Sequence, residues 1–300
     1  MNRFLVSVLY FALCANARAQ VASEQASAPA AAPAGAAAGE TYRIGDKVDP
    51  DVYSILSEAR GVSTHKATYF YPATYSSEFH GDETELVFQL SAKWRVFGSD
   101  LYLAYSQKSF WQWVNGKQSS PFRETNYDPE VFYRWTPDPK RFHHWAMDVG
   151  FEHESNGQPF PLSRSWNRVY LAPFQARGRH LAYFKFWYRL PEGGSSSLTN
   201  QDGDDNPDLT DYLGYGELTY SQQVGGDQLL TGMVRGNPVT GRGAVQFTWS
   251  IPSGQGWVFW SASVFHGYGE SLVFYDEEIT RVMLGVMLAR SLIVNPKSIV

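Results

Sequence analysis

The chain of 300 residues carries a formal net charge of −5, with 16% aromatic and 18% charged residues. The charged fraction lies below the roughly 25% of an ordinary soluble domain, and the mildly acidic balance offers no basic surface to nucleic acid. The one cysteine, Cys14, excludes an internal disulfide framework.

Residues 1–19 read as a secretory signal. Arg3 supplies the positive start, Phe4 to Ala15 the apolar stretch, and Ala17-Arg18-Ala19 a small-x-small cleavage site. That stretch is too short to cross a bilayer. Residues 20–65 form a lead-in. Its first half, 20–40, is Ala-rich with Pro, Ser and Gly and cannot bury a core, while 41–65 has weak periodicity and is expected to form a periplasmic arm or plug.

From 66 to 300 the pattern changes to alternating stretches broken by polar turns. No run approaches the ~18 apolar residues of a membrane helix. In 86–96, Leu86, Phe88, Leu90, Ala92, Trp94 and Val96 share one face and Gln89, Ser91, Lys93 and Arg95 the other. In 180–190, Ala182, Phe184, Phe186, Tyr188 and Leu190 oppose Lys185 and Arg189; near the end, Val282, Leu284, Val286 and Leu288 alternate with Arg281, Met283, Gly285 and Met287. About twelve such segments predict an all-β fold, a twelve-stranded antiparallel transmembrane barrel, because an even count closes without edges. They lie near 67–77, 85–97, 100–113, 126–135, 143–155, 164–174, 180–190, 211–224, 227–235, 243–250, 257–268 and 280–291. The inward charges Lys93, Arg95, Asp148, Glu152, Lys185 and Arg189 are expected to pair inside a filled lumen.

The segment 143–155, HHWAMDVGFEHES, departs from the greasy pattern. Trp145, Met147, Val149, Phe151, His153 and Ser155 share the apolar face, while Asp148, Glu152 and Glu154 take the other. A base and a nucleophile two residues apart on a lipid-facing wall point to an enzyme attacking lipid. His-x-Ser alone also fits two polar residues at the membrane interface. The strand enters a polar loop, Ser155-Asn156-Gly157, and a hairpin would return Asn167 beside the pair. Gln107, on the face of Leu101, Leu103 and Tyr105, is a further amide turned toward lipid. His143-His144 fits a turn or interface, and Arg123 and Glu124 fit a loop or the lumen.

The run 151–168, FEHESNGQPFPLSRSWNR, resembles outer-membrane phospholipase A, and so do QKSFWQW at 107–113, SSPFRETNYDPE at 119–130, DDNPD at 204–208, HGYGESL and TRVMLGVML. The resemblance covers most of residues 66–290 in order. It implies a calcium-dependent outer-membrane enzyme, exported through the signal, that hydrolyses sn-1 and sn-2 acyl esters of phospholipids and is activated as a homodimer. Ser155 would be the nucleophile, His153 the base and Asn167 the residue that orients it. Ca2+ would be held by Ser163 and the Gln158 carbonyl of one subunit and Ser119 of the other, with Asp205 at a further position. Gln107 would bond across the dimer. The sequence departs from the family pattern at Phe160, where an acid is expected, in a longer loop from Pro191 to Gln201, and in the ending NPKSIV. The alternative is a catalytically silent barrel acting as a passive channel or lipid-binding scaffold.

Overall fold

The computed structural model describes residues 62–290, apart from 138–140, 143–144, 178, 195–202, 226–227 and 255–257. The signal, the lead-in up to residue 61, the pair His143-His144 and the NPKSIV ending lie outside the described residues. Twelve long antiparallel strands close into one ring: β2 (Thr68–Ser76), β3 (Leu86–Arg95), β4 (Leu101–Trp111), β5 (Phe122–Trp135), β6 (Trp145–Ser155), β7 (Ser165–Arg177), β8 (His180–Leu190), β9 (Gly216–Gln223), β10 (Leu229–Asn237), β11 (Arg242–Pro252), β12 (Phe259–Gly267) and β13 (Ile279–Ala289). Each pairs with the next, and β13 returns to β2. Such closure lets a sheet sit in lipid, since backbone groups left unpaired there have no water to turn to.

A two-residue strand, β1 (Val62–Ser63), pairs with Trp94 and Lys93 of β3, just beyond the stretch of β3 that β2 occupies. Between β1 and β2 the chain turns into the lumen. It carries His65 Nε2 to 3.2 Å from Glu130 and Lys66 onto Asp128 and Glu152.

The faces are inverted relative to a soluble protein. Leu101, Leu103, Tyr105, Val149, Phe151, Phe186, Tyr188, Val282 and Leu284 are exposed outward, whereas Asp148, Glu152, Lys185 and Arg281 are buried. Burying charge without a partner is costly, so the lumen is built of closed ion clusters. Glu152 accepts from Arg168 Nε and Lys185 Nζ, each at 2.6 Å, and from Lys66 Nζ at 3.0 Å. Arg134 holds Asp148 through two bonds of 2.7 Å. Arg281 joins Glu270 at 2.6 Å to Glu85 at 2.7 Å. A cavity of about 320 Å³ remains among His65, Lys108, Glu152, Arg168, Arg235 and Glu270.

Three sequence expectations need correction. Arg95 is not in this network: it pairs with Asp100 at 2.9 Å across the short β3–β4 turn, both half exposed. Arg189 pairs with Asp204 at the rim instead. Both arginines stand at strand ends, where solvent or a loop is nearer than the lumen. The strand expected over 211–224 begins only at Gly216, because 209–213 forms a short helix, α1 (Leu209–Leu213). Leu209 and Leu213, four residues apart, are both buried, and that helical spacing overrides the alternation. Gly214 ends the turn at φ +72°, where a Cβ would lie 1.9 Å from the Gly236 carbonyl oxygen.

Replacing Glu152 with Ala would strand Lys66, Lys185 and Arg168 around an empty centre. A loss of about 3–5 kcal/mol is expected, read as a lower urea midpoint of the barrel in detergent; an unchanged midpoint would refute this account of the lumen.

Candidate active site

The β6–β7 register places His153 directly opposite Asn167 and Ser155 opposite Ser165. Directly opposed residues have neighbouring side chains, and His153 Nδ1 lies 2.9 Å from Asn167 Oδ1. An amide oxygen only accepts, so Nδ1 donates and the lone pair falls on Nε2. The sense of the amide is fixed independently, since Asn167 Nδ2 donates to Glu192 Oε1 at 2.8 Å. Ser155 shares the His153 face two residues along β6 and lies in a cross-strand row with Gln107 of β4 and Tyr127 of β5. This arrangement sets a hydroxyl and an imidazole with an open nitrogen on the outer wall, within reach of lipid.

The row is polar without being charged. Tyr105 Oη donates to Gln107 Oε1 at 3.1 Å, and Gln107 Nε2 donates to Ser109 Oγ at 3.2 Å. The Gln107 amide on the apolar face is therefore satisfied along its own strand. Tyr127 also closes over the loop after Ser155. Gly157 has φ +66°, and a Cβ there would meet Tyr127 Cε2 at 3.3 Å.

The β6–β7 loop is organised by Asn156, which sequence reasoning passed over. Its Nδ2 donates to the Leu162 carbonyl at 2.7 Å, and its Oδ1 accepts from the N–H groups of Arg164 at 3.0 Å and Gln158 at 3.2 Å. Asn156 is buried, so these bonds replace water. The available signal was Asn-Gly directly after a strand, a turn-forming pair whose side chain bonds nearby backbone. Through it the loop holds Gln158 and Ser163 at fixed positions above the barrel wall.

Ser163 Oγ donates to the Asp205 carboxylate, joining the β6–β7 loop to the acidic turn before α1. The rest of that turn serves structure. Asp204 Oδ1 accepts from Arg189 at 2.6 Å and from the Asn206 N–H at 3.0 Å. Asn206 Oδ1 accepts from the Ser165 N–H at 3.3 Å, and Tyr275 donates to Asp208. Of the acids in DDNPD, Asp205 is the one brought to a predicted metal-site residue. With Ser163 it forms a pair of hard oxygen donors, the kind calcium takes, and Gln158 lies on the same loop. Ser119 is on the neighbouring β4–β5 loop at φ +61°, separate from the Ser163–Asp205 pair. Phe160 adds no side-chain oxygen to the β6–β7 loop.

A second acidic group, Asp128, Glu130 and Glu152, brings its carboxylate oxygens within 4.8 Å of one another. It lies in the lumen, where the ammonium groups of Lys66 and Lys185 already take the place of a cation. It reads as part of the ion network rather than as a metal centre. Arg123 and Glu124 are also structural: Arg123 binds Glu85 at 2.5 Å, and Glu124 accepts from Asn126 Nδ2 at 2.6 Å.

Comparison with known proteins identifies the family. Residues 53–288 match the family model described as phospholipase A1. The chain is 39% identical over 225 residues to the phospholipases A1 of Salmonella typhimurium and Escherichia coli K12, covering 72% of this chain and 73% of each relative. Among solved structures, outer membrane phospholipase A from Escherichia coli superposes with a TM-score of 0.66 at 35% identity, covering 76% of this chain and 98% of that one. The Salmonella typhi outer membrane phospholipase, a dimer with bound calcium, gives 0.67 at 34% identity, over 83% and 99% of the two chains. By family model, sequence identity and shared twelve-stranded barrel, the chain belongs to the phospholipase A1 family of outer-membrane barrels.

Proposed function

We propose that this protein is a calcium-dependent, serine-type phospholipase A of the outer membrane, active as a homodimer and cleaving sn-1 and sn-2 acyl esters. The observation that carries the reading is the 2.9 Å contact between His153 Nδ1 and Asn167 Oδ1, with Ser155 two residues away on the same lipid-facing wall.

In this reading the Ser155 hydroxyl attacks the ester carbonyl while His153 Nε2 removes its proton. The imidazolium that results keeps its Nδ1–H on the Asn167 oxygen, which holds ring and tautomer in place. The same proton passes to the departing lysophospholipid oxygen, leaving an acyl group on Ser155. Water then enters, again giving a proton to Nε2, and fatty acid is released as Ser155 recovers its hydrogen. A neutral amide stabilises the imidazolium less than a carboxylate would, but it costs less to place against lipid.

The residues that would hold calcium are Ser163, Asp205 and the Gln158 carbonyl, joined by Ser119 of the partner subunit. The hard oxygen chemistry of this set fits the ion, though Phe160 leaves it short of one acid. Bound calcium supplies a positive field where the ester oxygen becomes anionic. A site divided between two chains ties activity to dimerisation, and the Salmonella typhi relative, a dimer with bound calcium, supports that arrangement. Gln107, in one row with Ser155, would bond across the interface by exchanging its bonds along β4 for bonds to the partner. Export through residues 1–19 and a lead-in over 20–65 complete the proposal.

In mixed micelles of phospholipid and detergent, the refolded chain is expected to release fatty acid with calcium and to stop with chelator. Ser155→Ala is expected to lower the rate by about 10³-fold or more; release unchanged in that variant would sink the serine mechanism. Asp205→Ala is expected to raise the calcium concentration for half-maximal rate by about tenfold. An unaltered calcium requirement would remove Asp205 from the site.

A further inference from the structure

Asn167 serves two groups at once: its Oδ1 takes the His153 ring N–H and its Nδ2 donates to Glu192 Oε1 at 2.8 Å. An amide is an ambiguous tool for orienting a base, because its two ends match in shape and oppose in sense. Turned over, Asn167 would offer N–H to Nδ1 and favour the tautomer with its proton on the wrong nitrogen. A carboxylate only accepts. With Glu192 in place, the Nδ2 end has one destination and Oδ1 is left for His153.

The chain delivers this carboxylate by register and by a clamp. Leu190 of β8 is the cross-strand partner of Asn167, and Glu192 follows two residues later, within the diagonal reach of a long side chain. On one side Arg189 grips the acidic turn, donating to Asp204 at 2.6 Å and to the carbonyls of Asn206 at 2.8 Å and Pro207 at 3.2 Å. On the other, the Asp204 N–H donates to the Gly194 carbonyl. The groups acting on Glu192 are Asn167, Asp204, Arg189 and His153, and burial, the largest influence, pushes its carboxyl above the ordinary value. Glu192 lies in the loop where this sequence departs from the family pattern.

We propose that Glu192 is a positioning residue for ester hydrolysis: it locks the Asn167 amide toward His153 and supplies the negative end that a Ser–His–Asn arrangement lacks. This rests on the assignment of Ser155, His153 and Asn167 made above. It gives the enzyme a carboxylate acting through the amide, held in the loop beyond the strand rather than on the lipid-facing wall.

The test is steady-state hydrolysis in calcium-containing mixed micelles by the full chain and by Glu192→Gln, Asn167→Asp, and the two combined, beside Ser155→Ala. Glu192→Gln is expected to lower kcat about tenfold, the weight of one charge-assisted hydrogen bond, with KM unchanged. Asn167→Asp alone sets two carboxylates against each other and is expected to lower kcat further. The double variant exchanges amide and carboxylate and is expected to recover to at least the Glu192→Gln level. A Glu192→Gln enzyme within twofold of the parent would overturn the proposal. So would a double variant whose loss is the product of the two single losses, which is what a purely structural loop contact predicts. Full activity in Ser155→Ala would instead remove the underlying assignment, and this inference with it.

Discussion

Every other feature of this molecule follows from one constraint: in hydrocarbon, a backbone N–H or C=O must find its partner within the protein. The ring of twelve strands satisfies it by joining β13 to β2. Once the ring is closed, the two faces of each strand are committed, one to lipid and one to the lumen. Apolar residues go outward and charges inward. Because the charges cannot be hydrated freely, they settle into closed groups such as Lys66, Glu152, Arg168 and Lys185.

That commitment also decides where chemistry directed at lipid can stand. In the proposed function the substrate is outside, so the reactive groups stand on the wall that should be greasy, and the polar atoms there find partners among themselves. They do so in pairs along and across strands: Tyr105 with Gln107, Gln107 with Ser109, and His153 with Asn167. These partners are uncharged by composition, which keeps the desolvation cost low. Formal charge is held at the rim, where Asp204, Asp205 and Glu192 belong to loops anchored by Arg189, Ser163 and Asn167.

Much of this was legible in the residues. Period-two alternation marked the strands, and the parity of 143–155 put His153 and Ser155 on the apolar face before any register was known. Asn167 was legible only through the hairpin expected to bring it back. Other features were hidden for identifiable reasons. The helix over 209–213 reads equally well as alternation until Leu209 and Leu213 are seen buried together. Arg95 and Arg189 have the parity of lumenal residues but stand at strand ends, and parity carries no information on height. Asn156 and Glu192 act through loops, where no periodicity exists to be read.

The sequence by itself determined the architecture, the face of each strand residue and the polar side chains set on the outward wall, because period and composition are local properties of the chain. Tertiary structure alone decided the pairings. Which carboxylate meets which cation in the lumen depends on the register of strands far apart in the chain, as Arg281 shows by bridging Glu270 and Glu85. Whether Asn167 faces a second partner depends on where the β8 loop returns. Whether Ser163 reaches Asp205 depends on two loops meeting. Those contacts join residues 11 to 196 positions apart, and strand register, loop return and, for Arg281 with Glu85, closure of the ring bring them within hydrogen-bonding distance.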